Sequence, residues 1–426
     1  MRVLLLGSGG RESALAWALN RSASAPDLVC MPGNPGIATT AELVTGDPAD
    51  PEVVLAVATR VRPDLVVVGP EAPLVTGVGD ALRGRGIDVF GPDAGAARIE
   101  GSKAYAKELM ARAGVPTGRG RAFSDPTGAA VFMDELGPPY VIKADGLAAG
   151  KGVVVTSDRD AAIDAIDQCL VRGGFGEAGA RIVIEEFLDG QETSVIAFCD
   201  GSDVVACDPA QDYKRVFDSD AGPNTGGMGS YSPVPACPPE VLDQIVREVI
   251  EPLIKATADD GAPFVGALYA GLALTGKGPK VIEFNARFGD PETQALLPRL
   301  ESDLAEVCMA CATGSLEGTK LQWSPQRCVS VVLASGGYPG AHETGFEISG
   351  VADAEATGAL VFHAGTAVAD GRLVTSGGRV LAVSALGPSF EAARSLAYDA
   401  ASKIQFDGRH MRTDIATRAV DAERNG

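Results

Sequence analysis

Asp145-Gly146-Leu147-Ala148-Ala149-Gly150-Lys151-Gly152 stands between two apolar runs, Tyr140–Ala144 and Val153–Thr156, that read as strands. The octet nearly matches the phosphate loop G-x-x-x-x-G-K-[ST], but Asp145 replaces its first glycine and Gly152 its final hydroxyl residue. That loop also joins a strand to a helix, whereas a strand lies on each side here. The context is therefore a glycine-rich hairpin, able to fold over a triphosphate, donate backbone N–H groups and exclude water. Lys143, closing the first strand, adds a point charge toward the same phosphates. A flexible surface hairpin is the competing reading, yet ordinary tips rarely need four small residues and a lysine.

Further along, Lys280-Val281-Ile282-Glu283-Phe284-Asn285-Ala286-Arg287-Phe288-Gly289-Asp290 carries the second strong signal. Strand period predicts Ile282, Phe284 and Ala286 on one face and Glu283, Asn285 and Arg287 on the other, with about 7 Å between successive members of each row. A carboxylate and an amide oxygen suit Mg²⁺, a hard ion whose shell is usually completed by phosphate and water. Arg287 is suited to grip a carboxylate or a phosphoryl group in transfer. An edge strand with a solvated polar face would show the same alternation.

The first hundred residues repeat a short apolar strand followed by a Gly/Pro-rich turn: Val3–Leu6, Leu28–Met31, Leu65–Val68 and Ile87–Phe90, with helical stretches such as Glu12–Leu19 and Pro51–Val61 between. This pattern predicts a doubly wound parallel sheet with ligands at the carboxyl ends of its strands. The turn Gly7-Ser8-Gly9-Gly10-Arg11-Glu12 fails the dinucleotide fingerprint, because Glu12 stands where the third glycine belongs. What survives is a glycine turn feeding a helix N-terminus beside Arg11, suited to a phosphate or simply a tight turn.

From about Gly101 the pattern changes to α+β, with a helix over Ser102–Ala113 and strands at Tyr140–Ala144, Val153–Thr156 and Ile182–Glu185. Val265–Leu274 and Lys280–Phe284 read as a hairpin of a second sheet, followed by a helix near Ser302–Thr313. After Trp323 short strands dominate. The expected domains are 1–100, doubly wound; 101–315, two α+β lobes with a small lid lobe at about 120–188; and 316–426, small and β-rich. Arg181–Glu192 ends a strand in acidic residues beside an apolar step, where adenine and ribose could find partners, although taken alone the stretch favours the reading of solvated charges. The stretch over residues 211–229 is poor in strand or helix signal, as functional loops and disordered segments both are.

The chain has 426 residues, enough for two to four domains at about 150 each. Hydrophobic residues at 46% and charged residues at 22% are ordinary globular usage and exclude disorder and fibre. A net charge of -20 disfavours nucleic acid, so anionic substrates need local cations or backbone amides. No apolar run approaches the ~18 residues of a membrane span. The opening apolar run stops at Gly7 and is followed by Arg11 and Glu12, which fits a buried strand better than a signal peptide. Eight scattered cysteines predict a reduced, cytoplasmic enzyme, and Cys308 and Cys311 read as neighbours on a helix face.

Taken together, these strings resemble the phosphoribosylamine–glycine ligase (glycinamide ribonucleotide synthetase) family of ATP-grasp enzymes of purine synthesis. The likeness runs through Gly7–Glu12, Gly69-Pro70-Glu71-Ala72-Pro73-Leu74, Glu100-Gly101-Ser102-Lys103, residues 142–152, residues 185–190, residues 211–215, residues 222–229 and residues 283–294. Gly336-Gly337-Tyr338-Pro339 and His363-Ala364-Gly365-Thr366 extend it to the C-terminal part. Ser13 and Tyr213 stand where family members carry His, and the strand Tyr269-Ala270-Gly271-Leu272 lacks an acidic metal ligand.

The resemblance implies an ATP-grasp core and an ADP-forming carboxylate–amine ligase. Its substrates would be ATP, glycine and 5-phosphoribosylamine, joined through a glycyl phosphate into glycinamide ribonucleotide. It implies Mg²⁺ or Mn²⁺ on Glu283 and Asn285, and Lys103 and Lys143 on the phosphates beneath a lid containing Gly146, Gly150, Lys151 and Gly152. Glu186, Phe187 and Leu188 would hold the adenine and Glu192 the ribose, with Glu185 also an ATP-binding residue. Arg287 and Lys143 would be the catalytic cations, with Arg287 also on the glycine carboxylate. Gly9, Gly10, Arg11, Glu71, Asp212, Lys214, Asn224, Thr225, Gly226 and Gly227 would form the acceptor pocket. No nucleic acid or membrane partner is expected, and the chain is expected to be a monomer.

Overall fold

Strand Arg2–Gly7 sits at the centre of a five-stranded parallel sheet and is buried after Arg2. The spatial order is Glu42–Leu43, Asp27–Pro32, Arg2–Gly7, Leu65–Val68, Asp88–Phe90, and every pairing is parallel. This computed structural model describes residues 1–147 and 152–425. Four of the five strands are those that the apolar runs predict. Glu42–Leu43 is an exposed two-residue edge, too short to show a pattern. Strand order reverses between Arg2–Gly7 and Leu65–Val68, so the turns after these two strands open the crevice where open α/β sheets bind ligands. Arg11 and Glu71 stand at that crevice.

A second sheet, ordered Gly120–Phe123, Ile182–Glu185, Tyr140–Ala144, Val153–Thr156, is antiparallel throughout. Helices Pro126–Leu136 and Arg159–Leu170 cover it, and Met133, Ile142, Ile166 and Ile184 build its own small core. Asp125 and Asp158 cap these helices by accepting first-turn N–H groups. The polar row lies on a third sheet, ordered Val204–Ala206, Gln191–Asp200, Val265–Thr275, Gly278–Asn285.

Two expectations are corrected here. Simple alternation along residues 281–287 is broken by a register shift: Leu272 pairs with Val281 but Gly271 with Glu283, leaving Ile282 as an extra residue. Val281, Phe284 and Ala286 enter the core, while half-buried Ile282 stays outside it. Residues 211–229 are not a long loop either. Gln211–Asp212 and Gly229–Ser232 pair with each other, and Gly229–Ser232 pairs with Arg327–Ala334 of the C-terminal sheet. Arg215–Phe217 and Ala221–Asn224 form a separate hairpin. Strands of two to four residues carry no legible period, and their partner lies a hundred residues on.

The C-terminal sheet, ordered Gln211–Asp212, Gly229–Ser232, Arg327–Ala334, Arg379–Gly387, Leu360–His363, thus borrows two strands from the middle of the chain. It docks on helix Gly10–Asn20 and on the turn after Asp27–Pro32 through His363, whose backbone N–H donates to Ser13 Oγ (3.1 Å) and whose carbonyl accepts from Asn34 Nδ2 (2.8 Å). Burial pushes the His363 ring down from 6.5 to about 4. The unfolded ring takes its proton near the higher value and the folded ring near the lower. Stability is therefore fully present above the unfolded value and lost as pH falls through this window, by about 3 kcal/mol in total. His363→Asn, which keeps a polar group toward Thr366, is expected to flatten the fall of the unfolding midpoint between pH 6.5 and 4; an unchanged slope would exclude His363 as its source.

The two departures from the family pattern sit in this framework. Ser13 takes the His363 N–H, and Tyr213 is buried with its hydroxyl accepting the Ala416 N–H at 3.0 Å. Cys308 and Cys311 lie buried on helix Leu304–Thr313, where burial pushes both thiols up into the unreactive range. Among the described residues no helix is long and apolar enough to cross a membrane.

Candidate functional site

At the crevice, the residue that breaks the dinucleotide fingerprint has a structural task. Glu12 is buried, and its carboxylate accepts the Gly9 N–H (2.6 Å) and Arg11 Nε (2.5 Å). Gly7 (φ +123°) and Gly69 make room for it: a Cβ at Gly7 would meet Glu12 Cγ at 2.5 Å, and one at Gly69 would meet Glu12 Oε1 at 2.3 Å. Glu12 thereby satisfies a helix-terminal donor and aims Arg11, whose Nη1 donates to Phe288 O (3.2 Å) and lies 3.9 Å from Glu71. The Gly9 amide is committed to Glu12 rather than free for a phosphate.

Arg287, at the end of the polar row, crosses to the same crevice. It reaches Glu71 Oε2 with Nε (3.3 Å) and Glu100 Oε1 with Nη2 (2.9 Å). Burial works against its charge, but Glu100 and Glu71 outweigh it and raise its pKa. On the opposite wall, Lys143 Nζ donates to Ile282 O (2.8 Å) and pairs with Glu185 (2.9 Å), which also lies 3.4 Å from Lys107. The small sheet is tied through Lys143 to the strand bearing Glu283 and Asn285. Lys103 Nζ donates to Gly146 O at 3.2 Å.

Asp145, the first departure from the phosphate loop, roots the hairpin. It accepts the Ala104 N–H (2.7 Å), the Ser102 hydroxyl (3.1 Å) and Arg181 Nε (3.0 Å). A glycine there would leave the N-terminus of helix Lys103–Ala113 without this acceptor.

The third wall brings C-terminal residues to the glycine stretch. Gly226 donates its N–H to Tyr338 Oη (3.0 Å) and offers its carbonyl to Arg379 Nη1 (2.6 Å). Arg379 also holds the Asp290 carbonyl (2.8 Å) and carboxylate (3.3 Å). Lys214 Nζ lies 2.6 Å from Asp212 and 3.6 Å from Glu192. Burial disfavours the Lys214 charge, yet Asp212, Tyr269 and Glu192 hold its pKa well above the ordinary value. Glu292, bonded to Ser194 Oγ at 3.1 Å, is pushed up by burial and by Asp212.

These walls enclose one cavity of about 470 Å³, within the range of small-molecule sites. Of the residues singled out in the sequence, it gathers Arg11, Glu71, Lys103, Lys143, Gly152 and Glu185, together with Asp212, Lys214, Thr225 and Gly226, and Glu283, Asn285 and Arg287. Gly9, Gly10, Gly146, Asn224 and Gly227 are not among its lining residues, nor are Glu186, Phe187, Leu188 and Glu192. Phe187 is 41% exposed, and Glu186 Oε2 takes the Arg119 N–H at 3.0 Å. Gly150 and Lys151 lie outside the described residues.

Sequence reasoning missed Glu100, Lys107, Tyr269, Asp290, Glu292, Tyr338 and Arg379 as wall residues. Several stand in the strings that carried the family resemblance, but no local period marks them. Among the described residues, seven basic and seven acidic side chains line the cavity, so its wall is formally neutral in a chain of net charge -20. The cavity wall thus lacks the acidic excess of the chain as a whole. Glu283 illustrates the balance: burial opposes its charge, but Lys214, Lys143, Lys103 and Arg287 hold its carboxyl below the usual range.

Comparison with known proteins agrees along the whole length. Residues 1–100 match the phosphoribosylglycinamide synthetase N domain, residues 101–293 its ATP-grasp (A) domain and residues 328–418 its C domain. The chain is 50% identical to a phosphoribosylamine–glycine ligase of Rhizobium meliloti (strain 1021), over 99% of this chain and 100% of that protein. It is 50% identical to one from Streptomyces coelicolor, over 99% and 100% respectively. A crystal structure of phosphoribosylamine–glycine ligase from Thermotoga maritima superposes with a TM-score of 0.84 at 34% identity, covering 97% of this chain and 100% of that one. Biotin carboxylase from Campylobacter jejuni shares the fold alone, with a TM-score of 0.73 at 13% identity over 96% of this chain and 93% of that one. The crevice, the polar row and the C-terminal clamp therefore belong to a member of the phosphoribosylglycinamide synthetase family of ATP-grasp ligases.

Proposed function

We propose that this cavity joins glycine to 5-phosphoribosylamine, with ATP cleaved to ADP and phosphate, to give glycinamide ribonucleotide. The observation that carries the reading is the 2.8 Å contact of Lys143 Nζ with Ile282 O, by which the hairpin sheet and the polar row face one cavity. A carboxylate is a poor electrophile. In the proposed sequence a glycine carboxylate oxygen attacks the γ-phosphorus and ADP leaves, giving glycyl phosphate. The acceptor amine then attacks the carbonyl carbon, the C–O bond to phosphate breaks, and the amine sheds a proton. Neither step needs a covalent nucleophile; both need positioning and charge neutralisation.

In this reading Lys103 and Lys143 neutralise the phosphates. Glu185 orients Lys143, and Glu186, Phe187 and Leu188 flank the adenine with Glu192 on the ribose. Arg287 grips the glycine carboxylate and then the phosphoryl in transfer. Arg11, Glu71, Asp212, Lys214, Thr225 and Gly226 hold the acceptor, with Gly9 and Gly10 in the turn that carries Arg11, Asn224 and Gly227 flanking Thr225 and Gly226, and Tyr338 and Arg379 keeping Gly226 in place from the C-terminal part. Glu283 and Asn285 present hard oxygen donors to the same cavity, which fits Mg²⁺ or Mn²⁺ bound by few protein ligands and completed by phosphates. Such an ion, when bound, screens the charge of the phosphoryl group being transferred. We propose that the enzyme works as a cytoplasmic monomer.

ADP release is expected to require both glycine and phosphoribosylamine, and to fall to background when bicarbonate or formate replaces glycine. Equal release with bicarbonate would assign the cavity to a different ATP-grasp reaction.

A further inference from the structure

Glu100 ends helix Ala94–Gly101 behind the polar row, with 7% of its surface exposed. Its Oε2 accepts the Ala286 N–H at 2.7 Å, and its Oε1 lies 2.9 Å from Arg287 Nη2. The Asn285 side chain meets the same Oε1 at 3.1 Å and Phe284 O at 3.3 Å. Both neighbours are acceptors, so the atom facing them is the amide nitrogen, and Oδ1 is the branch free of Glu100.

We propose that Glu100 is a positioning residue that decides which end of Asn285 a metal ion meets. The inference rests on the reading of Asn285 as a metal ligand. A primary amide has one acceptor end and one donor end, and only the oxygen binds a hard cation. Rotating the amide by half a turn costs it little on its own but presents N–H groups to the ion. Glu100 removes that freedom because a carboxylate accepts only, and each of its neighbours in the row is a donor. Outer partners of this kind fix ligand orientation in metal sites generally. Strand alternation alone would leave Asn285 either way round.

Glu100→Gln keeps the shape and brings an NH₂ group into a nest of donors. The Asn285 oxygen then turns toward Gln, and its nitrogen toward the ion. Mn²⁺ titrated in the presence of a non-hydrolysable ATP analogue, with free ion followed by electron paramagnetic resonance, is expected to bind about 10- to 100-fold more weakly in E100Q. Combining E100Q with Asn285→Asp supplies an oxygen to each side, one for the Gln NH₂ and one for the ion. This pair is expected to bind Mn²⁺ more tightly than Asn285→Asp alone, in which two carboxylates face each other.

E100Q binding like the wild type, while Glu283→Ala and Asn285→Ala bind weakly, would overturn the role of Glu100 alone. Normal binding by both alanine variants would overturn the metal assignment beneath it. If E100Q does not fold, the comparison of Asn285→Asp with the double variant still decides: no gain from E100Q overturns the proposal.

Discussion

Glu283→Ala is expected to lower kcat about a thousandfold while leaving the fold in place. A metal ion acting as a Lewis acid supplies several kcal/mol of transition-state stabilisation, and each ~1.4 kcal/mol is a factor of ten in rate. The substitution also removes the carboxylate on which Lys214, Lys143, Lys103 and Arg287 converge. The fold tolerates this because Lys143 keeps Glu185 at 2.9 Å and Lys214 keeps Asp212 at 2.6 Å, so neither lysine is stranded. The check is turnover as a function of Mg²⁺ together with the thermal midpoint. A variant within tenfold of wild-type turnover at limiting Mg²⁺ removes Glu283 from the metal.

Arg287→Ala is expected to fail in both rate and stability, which separates it from Glu283→Ala. Its guanidinium is the cation for Glu71 at 3.3 Å and for buried Glu100 at 2.9 Å. Leaving a buried carboxylate unpaired costs about 3–5 kcal/mol, seen as a lower denaturant midpoint. On the fraction that remains folded, kcat/KM for glycine is expected to fall at least a hundredfold, because the forked contact proposed for the substrate carboxylate and the phosphoryl would be gone. Arg287→Lys keeps the charge but loses the planar fork, so it is expected to recover most of the stability and little of the rate. Recovery of full activity by lysine would mean that only the charge matters, and Arg287→Ala with unchanged turnover would take the residue out of the reaction.

The different fates of the sequence expectations have a common cause. Tyr140–Ala144, Val153–Thr156 and Ile182–Glu185 are strands over the very residues that the apolar runs predict, because each segment is a short run rich in apolar, β-branched residues that the sequence displays directly. The bulge at Ile282 escaped, since an inserted residue alters pairing without altering composition. The strands within residues 211–232 escaped because they are short and their stability comes from remote partners. Tyr338 and Arg379 fall within the expected C-terminal domain at 316–426, and only their contact with Gly226 makes them part of the cavity wall.

By itself the sequence determined the parallel first sheet, the glycine hairpin between two strands and the polar strand with its three chemically distinct side chains. Each of these is written in the spacing of neighbouring residues. The tertiary structure alone decided that hairpin and strand face one cavity, that Glu12 aims Arg11, and that Glu100 selects the orientation of Asn285. Those are hydrogen bonds whose partners are set by three-dimensional packing: the Glu100 carboxylate and the Ala286 N–H stand 186 positions apart in the chain, and no local period encodes such a distance.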